Sequence, residues 1–459
     1  MKEHLFNRID IIVAPLVFIL ITLWVYRIKK KQPIELQKYF LTAFFLRPFG
    51  VLMISLITEF YYTYGDTYHF YHNAQALRQL FVKEPMTWLK VLFSDPNSGS
   101  ESMNKYLDII GDYSFYSTSV FKTTENASLS KIASVFNLVC FDSYIGIALF
   151  IGLLSFLGCW YIFKTFIYFY PGYEKQFALL CLYLPSLWFW GSGILKDPVC
   201  LFALGILCYN VFVNRPGILS RLGIAGIGAF ILIAIKSYIF YAFAIAAVIG
   251  WSLYYFKRMS FLFKILTIVI FLGITAASYS TINDAVTEMV DNTIKDSQKW
   301  IESYTNMSQL GDATTIPTLD PTPIGFLKFS LEGLITVYMK PFPWQLNKPI
   351  YLFVILENLL IYYIIFKKVK PAGKKFKKNH KLLNNFSFAF FLVLGVIVGT
   401  NSFNLGTISR YRVPALPFYF AGIFAWKLSR RKNGVEGTSA SEKFIINDSF
   451  TKSVTLNKD

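Results

Sequence analysis

The stretch YIGIALFIGLLSFLGCWYIFKTFIYF, residues Tyr144–Phe169, contains a single charged side chain, Lys164. About 20 apolar residues in a helix cross the roughly 30 Å hydrocarbon core of a bilayer. Ten further apolar stretches lie before and after this one, so we predict an all-α, polytopic integral membrane protein with about eleven transmembrane helices. The predicted spans are Ile11–Val25, Phe49–Phe60, Tyr144–Phe169, Phe177–Gly191, Pro198–Val213, Leu222–Ile235, Tyr238–Tyr255, Phe261–Ala277, Ile350–Phe366, Phe386–Thr400 and Val413–Trp426.

The composition agrees with this class. Of 459 residues, 54% are hydrophobic and 16% are charged, which is too apolar for a soluble domain of this length. The formal net charge of +18 could indicate nucleic acid as a partner. The basic excess, however, lies in short gaps between apolar stretches and in the C-terminal tail, where anionic headgroups attract it. We therefore expect membrane lipids and no nucleic acid. The five cysteines show no metal-ligand spacing and no disulfide framework.

The basic residues also predict the orientation of the chain. Lysine and arginine cluster in every second gap, and such gaps are cytoplasmic in polytopic proteins. This rule places the N-terminus outside and the C-terminus inside. We expect a transmembrane domain over residues 1–430 and a polar, disordered cytoplasmic tail over 431–459. The clusters are Arg27–Lys31, Lys175, Arg215–Arg221, Lys257–Lys264, Lys367–Lys381 and Lys427–Lys432.

Two gaps are long, and both fall on the extracytoplasmic side: about 61–143 and about 279–348. Loops of this length in a compact architecture are usually functional. In the first loop, Ala74–Phe93 has the apolar spacing of a helix that lies on a membrane surface, broken or kinked at Pro85. The second loop carries a run of acidic residues, which is usually a solvated face, and then Lys340–Trp344, whose prolines predict a rigid turn at the membrane surface.

Ionisable residues gather at the predicted outer boundary of the membrane, where a charge is costly unless it faces a partner or a cavity. They are Asp66, the Lys196-Asp197 pair, Lys236, Arg410 and Arg412; a second Gly-Asp motif adds Asp112. Several cations beside one or two carboxylates would suit a lipid phosphate and a general base. The alternative is that Lys196 pairs with Asp197 while Lys236, Arg410 and Arg412 extend to lipid headgroups.

With these features the chain resembles bacterial membrane glycosyltransferases of the GT-C superfold, which take sugars from polyprenyl-phosphate carriers. The resemblance rests on Asp66 after an early helix, on the amphipathic helices of the first loop, and on Arg-Tyr-Arg-x-Pro-x-x-Pro from Arg410. The stretches Pro185–Asp197 and Lys340–Trp344 are similar to uncharacterised multi-pass proteins of surface-polysaccharide synthesis. Unlike the family pattern, the carboxylate follows the second helix, and the frequent acidic pair is absent.

The resemblance implies a glycosyltransferase in the bacterial cytoplasmic membrane. It would move a sugar from a polyprenyl-phosphate-linked donor to an acceptor glycan or lipid on the extracytoplasmic face, for cell-surface polysaccharide synthesis. Asp66, or Asp112, would be the general base, and Lys196, Lys236, Arg410 and Arg412 would bind phosphate. Tyr68 could stack on a sugar, and His69 could relay a proton or hold a divalent cation; no cofactor is certain. A polymerase of lipid-linked repeat units, a transporter or flippase of lipid-linked oligosaccharide and a noncatalytic assembly factor remain open alternatives.

Overall fold

The computed structural model describes residues 4–62, 65–111, 115–267, 322–345, 351–367, 375–402 and 405–431, with three single positions at 269, 288 and 295. Every regular element in these ranges is a helix. Five helices are long and apolar enough to cross a membrane: Arg8–Lys29 (α1), Ile34–Tyr62 (α2 with a final π turn), Tyr144–Phe169 (α8), Ile218–Phe256 (α12) and His380–Asn401 (α15). Four more apolar helices have 16 or 17 residues: Lys196–Phe212 (α11), Pro323–Met339 (α13), Tyr351–Phe366 (α14) and Leu416–Arg431 (α17). The count of eleven spans stays a prediction.

Helices α1, α2 and α8 pack side by side. Asn7 caps α1, because its side chain accepts a hydrogen bond from the Asp10 backbone while Asp10 accepts one from the Asn7 backbone. Asp10 also accepts hydrogen bonds from the Ser143 hydroxyl and the Ile145 amide, so α1 and α8 begin at the same end of the bundle. We call this end, where α2 finishes just before Asp66, the Asp66 end, and the opposite end, where α17 carries Lys427, the Lys427 end.

A helical lobe lies at the Asp66 end, between α2 and α8. It consists of α3 (Asp66–Lys83), α4 (Pro85–Phe93), α5 (Glu101–Gly111), α6 (Phe115–Phe121) and α7 (Thr124–Cys140), and it has an apolar core of its own that includes Leu80, Trp88, Tyr106 and Phe121. The helix predicted over Ala74–Phe93 ends at Lys83, and a new helix begins at Pro85, where proline fits the first turn.

Helix α12 reverses direction at Lys236, whose backbone angles (φ −150°, ψ 79°) are not helical. Before this point Gly228 packs against Ala203 and Leu207 of α11, and after it Phe243 and Trp251 contact Phe212 at the far end of α11. A straight helix of 39 residues would be almost 60 Å long and could not make both sets of contacts. The two spans predicted on either side of Lys236 are therefore the two arms of one helical hairpin.

The predicted span Phe177–Gly191 is a broken helix. It consists of α9 (Glu174–Leu182) and the short α10 (Pro185–Phe189), separated at Tyr183 and Leu184. Proline disfavours helical geometry in the residue before it, which accounts for the interruption at Leu184. The chain then bends through residues 190–195 into α11 at the Asp66 end.

We expected residues 279–348 to form an extracytoplasmic loop, but the described part of this range packs in the helix bundle. Its last part includes α13, which packs along α15 through a close backbone approach of Gly333 and Gly399. An approach this close is typical of packed membrane helices. The acidic run of this loop, apart from single positions, and the tail over 432–459 lie outside the described residues.

Candidate functional site

The candidate site centres on Asp197, whose carboxylate is fully buried at the Asp66 end. One carboxylate oxygen accepts a hydrogen bond from the Lys236 Nζ at 2.5 Å, and the other accepts one from the Arg410 Nε at 2.6 Å. Burial alone would raise the pKa of Asp197, but the two cations outweigh it and hold the pKa below its usual range. One buried anion thus holds two cations, and a second carboxylate, Asp66, contacts Arg410 from the exposed side.

Three separate elements deliver these groups. Asp197 is the second residue of α11, where a carboxylate is favoured by the positive end of the helix dipole. Lys236 lies at the reversal of α12, and its ammonium also stands 4.2 Å from the centre of the Tyr411 ring. Arg410 lies in the short helix α16 (Leu405–Tyr411) that precedes α17. The site therefore depends on the packing of three elements that are far apart in sequence.

Asp66 completes the site on its exposed side. Its carboxylate lies 3.3 Å from an Arg410 guanidinium nitrogen, and its side chain is 61% exposed, compared with 17% for Arg410. Asp66 is the first residue of α3, and Gly65 before it has φ +132°, a conformation that favours glycine and lets the chain turn from α2 into α3. The Thr67 hydroxyl donates to the Ile194 carbonyl at 2.9 Å, which ties this turn to the segment that leads into α11.

Lys196 adds a third cation. Its ammonium lies 3.3 Å from a Glu125 carboxylate oxygen of α7, and 14% of its side chain is exposed. Burial lowers the pKa of Lys196, and the nearby Glu125 offsets this effect only in part. For Arg410, burial also opposes the charge, but Asp197 and then Asp66 outweigh it and raise the pKa. The alternative pairing of Lys196 with Asp197 was wrong, because Asp197 binds Lys236 and Arg410 instead.

Arg412 does not join this cluster, which corrects our expectation that it would bind phosphate there. Its side chain is 1% exposed, and its guanidinium lies 3.3 Å from a Glu357 oxygen. It also donates to the Val337 carbonyl at 3.0 Å. Its contacts therefore lie within the helix bundle, with α13 and α14, and do not include Asp197 or Asp66.

The remaining predicted residues have other surroundings. Tyr68 is buried, and its hydroxyl donates to Glu59 at 3.2 Å, so its ring is not available to stack on a sugar in this conformation. His69 is half-buried, and its Nδ1 lies 3.2 Å from the Ser117 hydroxyl. Asp112 lies outside the described residues. Within the described ranges no group of three or more His, Cys, Asp or Glu side chains could hold a metal ion.

Three further charged residues with partners in the structure were not predicted from the sequence. Glu125 pairs with Lys196 from a helix of the lobe, where a lone glutamate gives no signal of its own. Glu59 accepts hydrogen bonds from Tyr68 and from the Leu5 amide, and so fixes the end of α2 beside the site. Arg47 is buried inside α2 and donates to the Leu187 carbonyl of α10. The available signal was a charge inside the predicted span Phe49–Phe60 for Glu59, and a charge two residues before that span for Arg47.

Comparison with known proteins adds no assignment to this geometry. No family model, curated protein or solved structure matches the chain. The resemblance to the GT-C superfold consequently rests on the residues quoted above, and the function is argued from the site.

Proposed function

We propose that the protein is a membrane glycosyltransferase that moves a sugar from a polyprenyl-phosphate-linked donor to an acceptor glycan or lipid on the extracytoplasmic face of a bacterial cytoplasmic membrane. One observation carries the proposal: an exposed carboxylate, Asp66, lies beside Arg410 at the edge of a buried cation cluster. An accessible base next to partly satisfied cations is the arrangement that this transfer requires.

The charges of the site fit a lipid phosphate. Asp66 and Glu125 are the exposed counter-ions of Arg410 and Lys196. A donor phosphate would take over both cations, because guanidinium and ammonium groups bind phosphate through charge-assisted hydrogen bonds. Asp66 would then be released from Arg410 and free to accept a proton. Lys236 and Asp197 would stay in place as the buried support of Arg410.

The reaction is a single displacement. Asp66 takes the proton of the acceptor hydroxyl while that oxygen forms a bond to the anomeric carbon of the donor sugar. The bond between the anomeric carbon and the phosphate oxygen breaks, and the electron pair leaves with the lipid phosphate, which Arg410 and Lys196 stabilise. One displacement inverts the anomeric configuration.

The positions of the basic residues support the proposed orientation. Lys29, Lys175, Arg258, Lys367 and Lys427 all lie at helix ends or turns of the Lys427 end, opposite to Asp66. If that end is cytoplasmic, as the positive-inside rule predicts, Asp66 faces outside, where lipid-linked donors of surface polysaccharides would be used.

The test compares transfer by purified wild type with that of Asp66→Asn, with Asp108→Asn as the matched control. Asparagine keeps the shape of the side chain but cannot accept a proton, so transfer should fall by about 10²–10⁴-fold while donor binding persists. Asp108 is an exposed carboxylate of the same lobe, on α5, and its variant should retain activity. Full activity of Asp66→Asn would remove the assigned base.

A transporter or flippase of lipid-linked oligosaccharide is the second candidate, and one structural feature favours it. The bundle contains a broken helix, α9–α10, and two buried charges beside it, Arg47 and Glu357. Interrupted helices with charges inside the bundle are typical of transporters. A transporter would move the lipid between leaflets without forming a glycosidic bond, which separates the two candidates in a reconstituted membrane.

A further inference from the structure

A second buried charge cluster lies deeper in the bundle than Asp66, and it centres on Glu357 of α14. One oxygen of this carboxylate accepts the Ser186 backbone N–H at 2.5 Å, and the other accepts the Ser186 hydroxyl at 2.6 Å. The Arg412 guanidinium lies 3.3 Å away. Both charged side chains are 1% exposed, so neither is available to a ligand in solution.

Glu357 therefore holds the two segments that lead to the candidate site. Ser186 is the second residue of α10, and ten residues later the same chain segment reaches Lys196 and then Asp197. Arg412 follows α16, two residues after Arg410. The neighbouring Asn358 strengthens the second connection, because its side chain contacts Arg412 at 3.3 Å and donates to the Met339 carbonyl at 2.9 Å.

Helix geometry separates the roles of the two arginines. Leu405–Tyr411 is an α-helix, and Arg412 directly after it keeps helical backbone angles (φ −74°, ψ −14°) and donates its amide to the Ile408 carbonyl. At about 100° per residue, side chains two positions apart point in directions about 200° apart. When Arg412 faces Glu357, Arg410 must face Asp197 and Asp66. The orientation of Arg412 thus sets that of Arg410.

We propose that the Glu357–Arg412 pair is a positioning device that holds α16 and the α10–α11 segment so that Arg410 and Lys196 meet one lipid phosphate. The inference rests on the proposed function for the identity of that ligand. The anchoring of α16 by the Glu357–Arg412 pair does not depend on the proposed function. Neither Glu357 nor Arg412 touches the donor; both act through the residues they hold.

The test uses Glu357→Leu/Arg412→Leu, which replaces both charges by apolar side chains. Removing one partner alone would leave an uncompensated buried charge, whereas removing both often preserves stability. Glu84→Gln/Lys105→Gln is the matched control, since it removes an exposed ion pair on the lobe. Two properties are measured in detergent on the intact protein: backbone hydrogen exchange across residues 405–411, and binding of undecaprenyl phosphate.

We expect the double variant to exchange at least 10-fold faster over 405–411, with α8 still protected, and to bind undecaprenyl phosphate at least 10-fold more weakly. The control should match the wild type in both. Unchanged exchange over 405–411 would overturn the anchoring role, and faster exchange with unchanged affinity would overturn the link to the phosphate site. If the wild type binds no undecaprenyl phosphate while exchange still increases, the proposed function fails and the anchor alone is supported.

Discussion

Replacing Asp197 by asparagine should destabilise the whole helix bundle. The Asp197 carboxylate is fully buried and contacts Lys236 at 2.5 Å and Arg410 at 2.6 Å. Asparagine has nearly the same shape but no charge, so Lys236 loses its buried counter-ion while Arg410 keeps its contact with Asp66. Removing one partner of a buried ion pair costs about 3–5 kcal/mol in unfolding free energy. Because Asp66 still contacts Arg410, we expect the lower part of this range.

The five cysteines provide the assay. All are buried and free in the structure, so a thiol-reactive dye reports unfolding in detergent as the temperature rises. Asp197→Asn should unfold at a clearly lower temperature than the wild type. Glu84→Gln, which removes an exposed carboxylate of the lobe, should unfold like the wild type.

A second substitution tests the physical cause. In Asp197→Asn/Lys236→Met the uncompensated ammonium is gone, while Arg410 keeps its contact with Asp66. The double variant should therefore unfold at a higher temperature than Asp197→Asn alone. The reasoning is refuted if Asp197→Asn unfolds at the same temperature as the wild type, or if adding Lys236→Met lowers the unfolding temperature further.

Three further predictions address the site and the packing. Burial lowers the pKa of Lys196, so the affinity for undecaprenyl phosphate should fall as pH rises through a range below the usual lysine pKa. In the same titration the affinity of Lys196→Arg should not change over this range, because arginine remains charged. Lys196→Gln should weaken this binding by about 1–3 kcal/mol at neutral pH without impairing membrane insertion; unchanged affinity would exclude a phosphate contact. Gly158 packs against the backbone of Leu201 and Gly205, so Gly158→Val should reduce the free energy of unfolding by about 1–3 kcal/mol or more and lower the unfolding temperature in the thiol-dye assay. Gly223→Val, at an open position, should reduce the free energy of unfolding much less.

The sequence predicted an all-helical chain, and it also singled out most of the residues that lie around Asp197. Uninterrupted apolar runs predicted helices such as α8 and α15, because a membrane helix must be apolar on most of its surface. Charges at the ends of these runs then marked Asp66, Lys196, Lys236 and Arg410. All four lie together in the structure, at the end of the bundle where α3 and α11 begin and α12 reverses direction.

The sequence alone could not predict which charged residues pair with one another. Asp197 and Arg410 are separated by 213 residues, and no local pattern records that α11 and α16 meet. The expectation that Arg412 would join Arg410 was wrong because helix geometry points the two side chains in opposite directions. Their separation of only two residues in the sequence had suggested a shared site. The reversal at Lys236 depends on tertiary contacts, which decide whether a bend is accommodated, whereas the break at Leu184 follows from Pro185 in the sequence.

The sidedness of the reaction tests the central claim most directly. The native cysteines are buried, so a single introduced cysteine can be labelled from solution. Asp108→Cys places this label on the exposed surface of the lobe, and in a separate variant Lys378→Cys places it near the Lys427 end. In oriented vesicles, both glycosidic bond formation and movement of the donor lipid between leaflets are then measured. We predict transfer only when donor and acceptor are on the side that labels residue 108, with loss in Asp66→Asn. Movement of the intact lipid without a new glycosidic bond would contradict the account and favour a transporter.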